Sequence, residues 1–400
     1  MKPPLHGTPS LMRAINEGRA LRVLLERGPL TRPEIGELTG LSKPTAFQLL
    51  ARLQEAGLVV ADGIRAGQPG PTAEIYRINP DSAYVAALDV THDRISVQIA
   101  DLTGTIRGEH AVTLTEGVRG PLVDRLRAAI DAAAPPGPLR RIVIGVQGAV
   151  DPTTGLLSYA TDEDLPGWRI PDLLPTLREG LGTEVDVEND VNLVALAEQA
   201  HGAATDFSDF VLLWADEGLG SALVIGGRLH RGFFGGAGEV GYMPTPGVAT
   251  ARDGGRFGHH GYQALVGGPA VHDLLRTYGV EAPDFRRAVS AAVTLSEGTD
   301  RAAEEARAGL RLVASRLAVG LAAIASVVDP GLVVLTGGLP AAGGELLRDL
   351  VERELHALTH SRPQVRLSAL EGNPVLAGAL ELGLTSVREE LFEGVLVSRS

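Results

Sequence analysis

The chain has 400 residues, is 44% hydrophobic and 21% charged, carries a formal net charge of −13 and contains no cysteine. That length favours two or three domains, the apolar content excludes a disordered chain, and the missing thiols exclude disulfides, thiol nucleophiles and thiolate metal sites together. No run approaches about eighteen consecutive apolar residues and no basic-then-apolar segment opens the chain, so the expectation is a cytoplasmic protein without a membrane span.

Charge is unevenly placed. Residues 1–80 hold ten Lys/Arg against seven Asp/Glu, whereas residues 81–400 hold 26 against 42. An acidic body is repelled by phosphate backbones, so nucleic-acid contact is expected from the first eighty residues. There, Leu11, Ile15, Leu21, Leu24 and Leu25 form a helical apolar stripe that stops at Gly28-Pro29. Thr31, with Glu34 three residues on, opens a short second helix that ends near Gly40. Ser42 is placed to cap a third helix running to Gly57, whose Ala46, Leu49, Leu50 and Leu53 face inward. Leu58–Val60 and Glu74–Ile78 read as two strands around a Gly/Pro tip.

Helix, short helix, turn, helix and hairpin is the order of a winged helix-turn-helix, whose third helix enters a major groove. Ser42, Lys43, Thr45, Gln48 and Arg52 are the candidate DNA contacts, with Arg32 and Arg65 as phosphate positioners. The rival for this segment is a small helical protein-interaction module. Pro80 marks the boundary, which gives a DNA-binding domain over residues 1–79 and a body over 80–400. In the body, Tyr84–Val90 and Arg94–Ala100 read as strands, 121–134 as a helix and Arg141–Val146 as a buried-type strand. This alternation argues an α/β architecture.

Five stretches then occur in order: Gly145-Val146-Gln147-Gly148-Ala149-Val150-Asp151, Leu165-Pro166-Gly167-Trp168, Val187-Glu188-Asn189-Asp190-Val191-Asn192, Gly236-Ala237-Gly238-Glu239-Val240-Gly241 and Val333-Val334-Leu335-Thr336-Gly337-Gly338. Together they resemble the ROK family, which joins sugar kinases to sugar-responsive repressors, over residues 10 to about 385. The resemblance implies an actin-like ATPase (ribonuclease H-like) body of two lobes. Lobe one would span about 80–190 plus the C-terminal helix, and lobe two about 191–375. It also implies ligand-binding positions at Gly148, Asp164, Asn189, Asp190, Glu239, Tyr242 and Gln263. Asp190 takes the place of the kinases' general base toward a sugar hydroxyl. From the residues alone, Asp190 is more simply the N-cap of a helix over 191–200.

Two phosphate loops depart from the family's pattern. Asp89-Val90-Thr91-His92-Asp93 lacks the glycines that admit a phosphate, and Asp216-Glu217-Gly218-Leu219-Gly220 brings two carboxylates. Like charges about 4 Å apart repel by ~4 kcal/mol at an effective dielectric near 20, so ATP is expected to bind poorly. The family's zinc site is expected to be lost, because Tyr242 stands at its His position and the 252–261 loop offers His259 and His260 but no Cys. Gln263 replaces a sugar-binding Glu. The expectation is therefore a repressor with no cofactor and a vestigial catalytic base. It would bind a palindromic operator as a homodimer or dimer of dimers and respond to a sugar or sugar phosphate. The alternative is an active, glucokinase-like ATP-dependent sugar kinase with an appended DNA-binding domain.

Overall fold

The computed structural model describes residues 9–65, 73–114, 120–151, 154–158, 165, 167–250 and 260–394. The N-terminal unit comprises α1 (Pro9–Arg27), β1 (Leu30–Thr31), α2 (Arg32–Thr39), α3 (Lys43–Glu55), β2 (Val59–Arg65) and β3 (Ala73–Ile78), with sheet order β1-β3-β2. Glu34 closes the start of α2, accepting from the Thr31 amide at 2.7 Å, and Gly40 ends it at φ +70°. Leu21, Leu24, Ile35, Leu49, Leu50, Leu53 and Tyr76 form the core of this winged helix-turn-helix. Strand β1 was not expected. It is two residues long, too short to show alternation, and exists only because β3 offers it an edge.

The body holds two five-stranded sheets. The first combines β4 (Tyr84–Val90), β5 (Arg94–Asp101), β6 (Ile106–Thr113), β7 (Leu139–Val146) and β10 (Glu184–Asn189) in the order β10-β7-β4-β5-β6. Helices α4 (Leu122–Ala132) and α5 (Leu173–Leu181) accompany it, and β8 (Ala149–Val150) pairs with β9 (Leu157–Ser158) beside it. Helix α6 (Asp190–His201) leads to the second sheet, of β11 (Phe210–Ala215), β12 (Leu219–Ile225), β13 (Arg228–Leu229), β14 (Leu332–Thr336) and β15 (Gln364–Leu367), ordered β13-β12-β11-β14-β15. Each sheet begins with an antiparallel three-strand meander, then adds two strands parallel to its first. That order, repeated, is the ribonuclease H-like pattern of actin-like ATPases. Every residue of β4 and β14 is buried, as a sheet covered on both faces requires.

The second sheet packs on α7 (Gln263–Val266), α8 (Gly268–Thr277), α9 (Phe285–Ser296), α10 (Arg301–Val328) and α11 (Gly338–Leu358). Helix α10 is long and apolar enough to cross a membrane, yet Leu310, Val313, Leu317 and Leu321 lie in the lobe-two core. The last helix, α12 (Pro374–Gly394), returns to the first lobe and packs on β4, β7 and α6. A Cβ on Gly378 would lie 1.8 Å from the Leu193 carbonyl oxygen of α6, so only glycine permits that approach. At its other end the Phe392 carbonyl oxygen lies 3.0 Å from a Cβ built on Gly18 of α1. One hydrophobic cluster runs from Leu21 and Leu24 of α1 through Leu102 to Leu384, Val387 and Phe392.

Candidate functional site

Strand β10 ends and α6 begins inside the motif Glu188-Asn189-Asp190. Asn189, extended at φ −62° and ψ 137°, is the N-cap: its Oδ1 accepts from the Asn192 amide at 3.0 Å, and its Nδ2 donates to the Gly148 carbonyl at 3.0 Å. This corrects the expectation that Asp190 caps the helix. Asn and Asp cap equally well, and the backbone conformation alone chose between them. Asp190 is instead the first helical residue, and its Oδ1 accepts from the Val191 amide at 2.9 Å. Buried Glu188 ties the motif together, accepting from the Asn189 amide and Asn192 Nδ2 at 2.9 Å each and from Arg231 Nε at 2.5 Å.

Burial pushes the Asp190 carboxyl up to about 7. The Val191 amide pulls against that rise, and the nearby negative charges of Asp89 and Glu239 add to it. Burial also raises Glu239. A carboxyl that titrates near neutrality, as Asp190 does, can donate to a hydroxyl or accept from one. Glu239 reaches this position because Gly238, at φ +99°, packs on the Ser221 carbonyl of β12, where a Cβ would lie 2.0 Å away. Gln263 Oε1 accepts from the Leu219 amide at 3.4 Å beside Gly218 and Gly241. Gly148, Asn189, Asp190 and Glu239 thus converge, with Gln263 and Tyr242 on the lobe-two wall. Asp164 lies outside the described residues.

Both departing loops are occupied by internal pairs. Asp89, 5% exposed at the end of β4, accepts from Arg94 Nη2 at 3.2 Å and from Asn373 Nδ2 at 2.7 Å. The Asn373 Oδ1 in turn caps α12, accepting from the Val375 and Leu376 amides. In the second loop, Asp216 Oδ2 accepts from the Gly338 amide at 2.8 Å, while Oδ1 pairs with Arg286. Glu217 stands 3.7 Å from the same guanidinium. The repulsion expected between Asp216 and Glu217 is therefore neutralised by Arg286, a partner 70 residues away. The N-terminus of α11, a natural seat for a phosphate, already holds a carboxylate.

Among the described residues no group of three His, Cys, Asp or Glu side chains is poised around one point. His260 is buried with both ring nitrogens unpartnered, and the Tyr242 ring lies 5.7 Å from it. One imidazole beside a phenol is a poor donor set for zinc. His259 lies outside the described residues.

On the N-terminal unit, Ser42 Oγ accepts from the Thr45 amide at 3.4 Å and shares a 2.8 Å hydrogen bond with Thr45 Oγ1. Lys43, Thr45 and Gln48 are exposed on α3. Arg52 has a partner that no local pattern suggested: its Nε donates to Glu17 Oε1 of α1 at 2.6 Å, where the Glu17 side chain is only 4% exposed. A buried carboxylate needs that cation, so Arg52 braces α1 against α3. Arg32 is also engaged, donating to the Tyr76 hydroxyl at 2.8 Å with its guanidinium 4.7 Å from the Phe47 ring centroid. Arg65 ends β2, and its side chain lies outside the described residues. Phe47 was not among the expected contacts, although its place between inward Ala46 and Leu49 already turns it outward.

The sequence profile described as "ROK family" matches residues 85–385, and that of the "MarR family" matches residues 13–63. Over 397 residues the chain is 24% identical to a putative xylose repressor of Caldicellulosiruptor sp. (strain Rt8B.4), covering 95% of this chain and 98% of the relative. A solved ROK family transcriptional regulator, described as a homolog of the E. coli MLC protein, matches with a TM-score of 0.71 at 18% identity, over 96% of this chain and 98% of that one. A ROK hexokinase from Thermus thermophilus matches with a TM-score of 0.63 at 24% identity, over 76% of this chain and 99% of that one. At these identities the two structures speak for the fold alone.

Proposed function

The chain belongs to the ROK family, and from that membership we infer a sugar-responsive transcriptional repressor whose body binds an uncharged carbohydrate without phosphorylating it. One observation carries the reading: α12 joins the cleft to the DNA-binding unit. Its cap, Asn373, holds Asp89, its first turns are locked to α6 at Leu193, and its far end packs on α1. A ligand that prefers one arrangement of the lobes biases α12, and with it the two recognition helices of a homodimer on a palindromic operator.

The site's chemistry suits hydroxyls better than anions, since it gathers the carboxyls of Asp89, Asp190 and Glu239, and Asp216 takes the helix terminus that a phosphate needs. On this reading the protein holds no zinc and acts in the cytoplasm on DNA. The full-length similarity to a repressor supports the same reading.

A thermal-shift screen of neutral pentoses and hexoses tests it: a selective binder raises Tm by mass action and changes operator affinity. Binding of sugar phosphates in place of neutral sugars would reverse the ligand class. Turnover of any hexose with MgATP above roughly 1 s⁻¹ would make the protein a kinase. Metal analysis is expected to find no stoichiometric zinc, and one ion per chain would refute that part.

A further inference from the structure

Phe47 is an aromatic side chain held on the outward face of the third helix. It is 53% exposed on α3, and the same outward face carries Pro44, Gln48 and Ala51. Nor does it swing freely. The Arg32 guanidinium lies 4.7 Å from its ring centroid and 5.8 Å from that of Tyr76. Arg32 is itself anchored to the Tyr76 hydroxyl, which donates to Glu74 at 2.5 Å. A cation over one face of the ring fixes its position and leaves an edge toward solvent. The side-chain entropy of presenting that edge is thereby spent before any partner arrives.

In a winged helix this face of the third helix enters the major groove. The groove edge carries one apolar feature, the C5-methyl of thymine, and a phenyl ring is among the side chains that contact it. Gln48, the next outward residue, has the amide that pairs bidentately with adenine N6 and N7. Resting on the DNA-binding reading above, we propose that Phe47 is a specificity-determining residue that packs on a thymine methyl in each operator half-site, with Gln48 reading an adjacent adenine.

The test begins with the full-length protein selecting duplexes from a random library. Each thymine of the selected duplex is then replaced singly by deoxyuridine, which removes the methyl and nothing else. One thymine per half-site is expected to lose about fourfold in affinity, the value of one buried methyl. Phe47→Ala is expected to bind the thymine and deoxyuridine duplexes alike, and Phe47→Leu to keep part of the difference, with Tm verifying that both are folded. A selected site in which no thymine is methyl-sensitive, or one whose sensitivity survives in Phe47→Ala, overturns this proposal and leaves the repressor reading standing. Failure to select any sequence overturns both. A change of oligomeric state in Phe47→Ala, with base preference intact, assigns the ring to a protein interface and also overturns it.

Discussion

Asp190 shows how little of a residue's chemistry its identity dictates. Three consecutive residues, Glu188, Asn189 and Asp190, all carry side chains able to accept from a helix N-terminus. Only the extended backbone at Asn189 gives that residue the cap and leaves Asp190 buried near the Asp89 and Glu239 carboxyls. The consequence is measurable. Native Asp190 holds its proton to about pH 7, whereas an unfolded carboxyl releases it near pH 4. Across that window the native state binds more protons, so this group's contribution to stability falls as pH rises from about 4 to about 7. Asp190→Asn removes the titrating proton. Its Tm is expected to drop less than the wild type's between about pH 5 and pH 8, and identical pH slopes would mean that Asp190 is ionised in the native cleft. The same variant is expected to lose its response to ligand while ligand-free operator affinity is unchanged; equal loss of both would reduce Asp190 to a structural role.

Among the elements, α12 is the one whose importance rests on two glycines. Gly378 sits against the Leu193 carbonyl and Gly18 against the Phe392 carbonyl, so both ends of the connection are backbone against backbone. Gly378→Ala forces α6 and α12 apart, and overpacking of this kind costs typically 1–3 kcal/mol, roughly the scale of several degrees in Tm. An unchanged Tm would show that the close approach is dispensable. The helices themselves were legible from caps and apolar stripes: Glu34 closes α2 and Ser42 caps α3 as their spacing suggested. The Arg52 brace was not legible because its partner, Glu17, lies 35 residues back on another helix, and no local pattern links the two.

For the whole molecule, the DNA-binding unit and the body share a hydrophobic cluster, with α1 leucines continuing into Leu384, Val387 and Phe392 of α12. Residues 1–79 expressed alone lose that cover. Small units are already marginal, so the fragment is expected to melt well below the full chain or not to fold cooperatively, by calorimetry or circular dichroism. A fragment as stable as the intact protein would show that the shared cluster contributes little, and would weaken α12 as the route between ligand and DNA. The two lobes repeat one strand order without a visible sequence repeat, because topology is preserved by burial pattern and connection rules, which many residues satisfy.

Local patterns were enough to read the division into a basic-leaning DNA-binding unit and an acidic α/β body, most helix ends, and the ROK motifs in their order, since periodicity, capping and charge need only neighbouring residues. Which carboxylates meet was settled by folding. Asp89, Asp190 and Glu239 come from separate elements, and Asp216 finds the Gly338 amide 122 residues away. The raised Asp190 carboxyl and the contact of Asp216 with the Gly338 amide depend on burial and on distances of a few ångströms, and neither exists until the chain has folded.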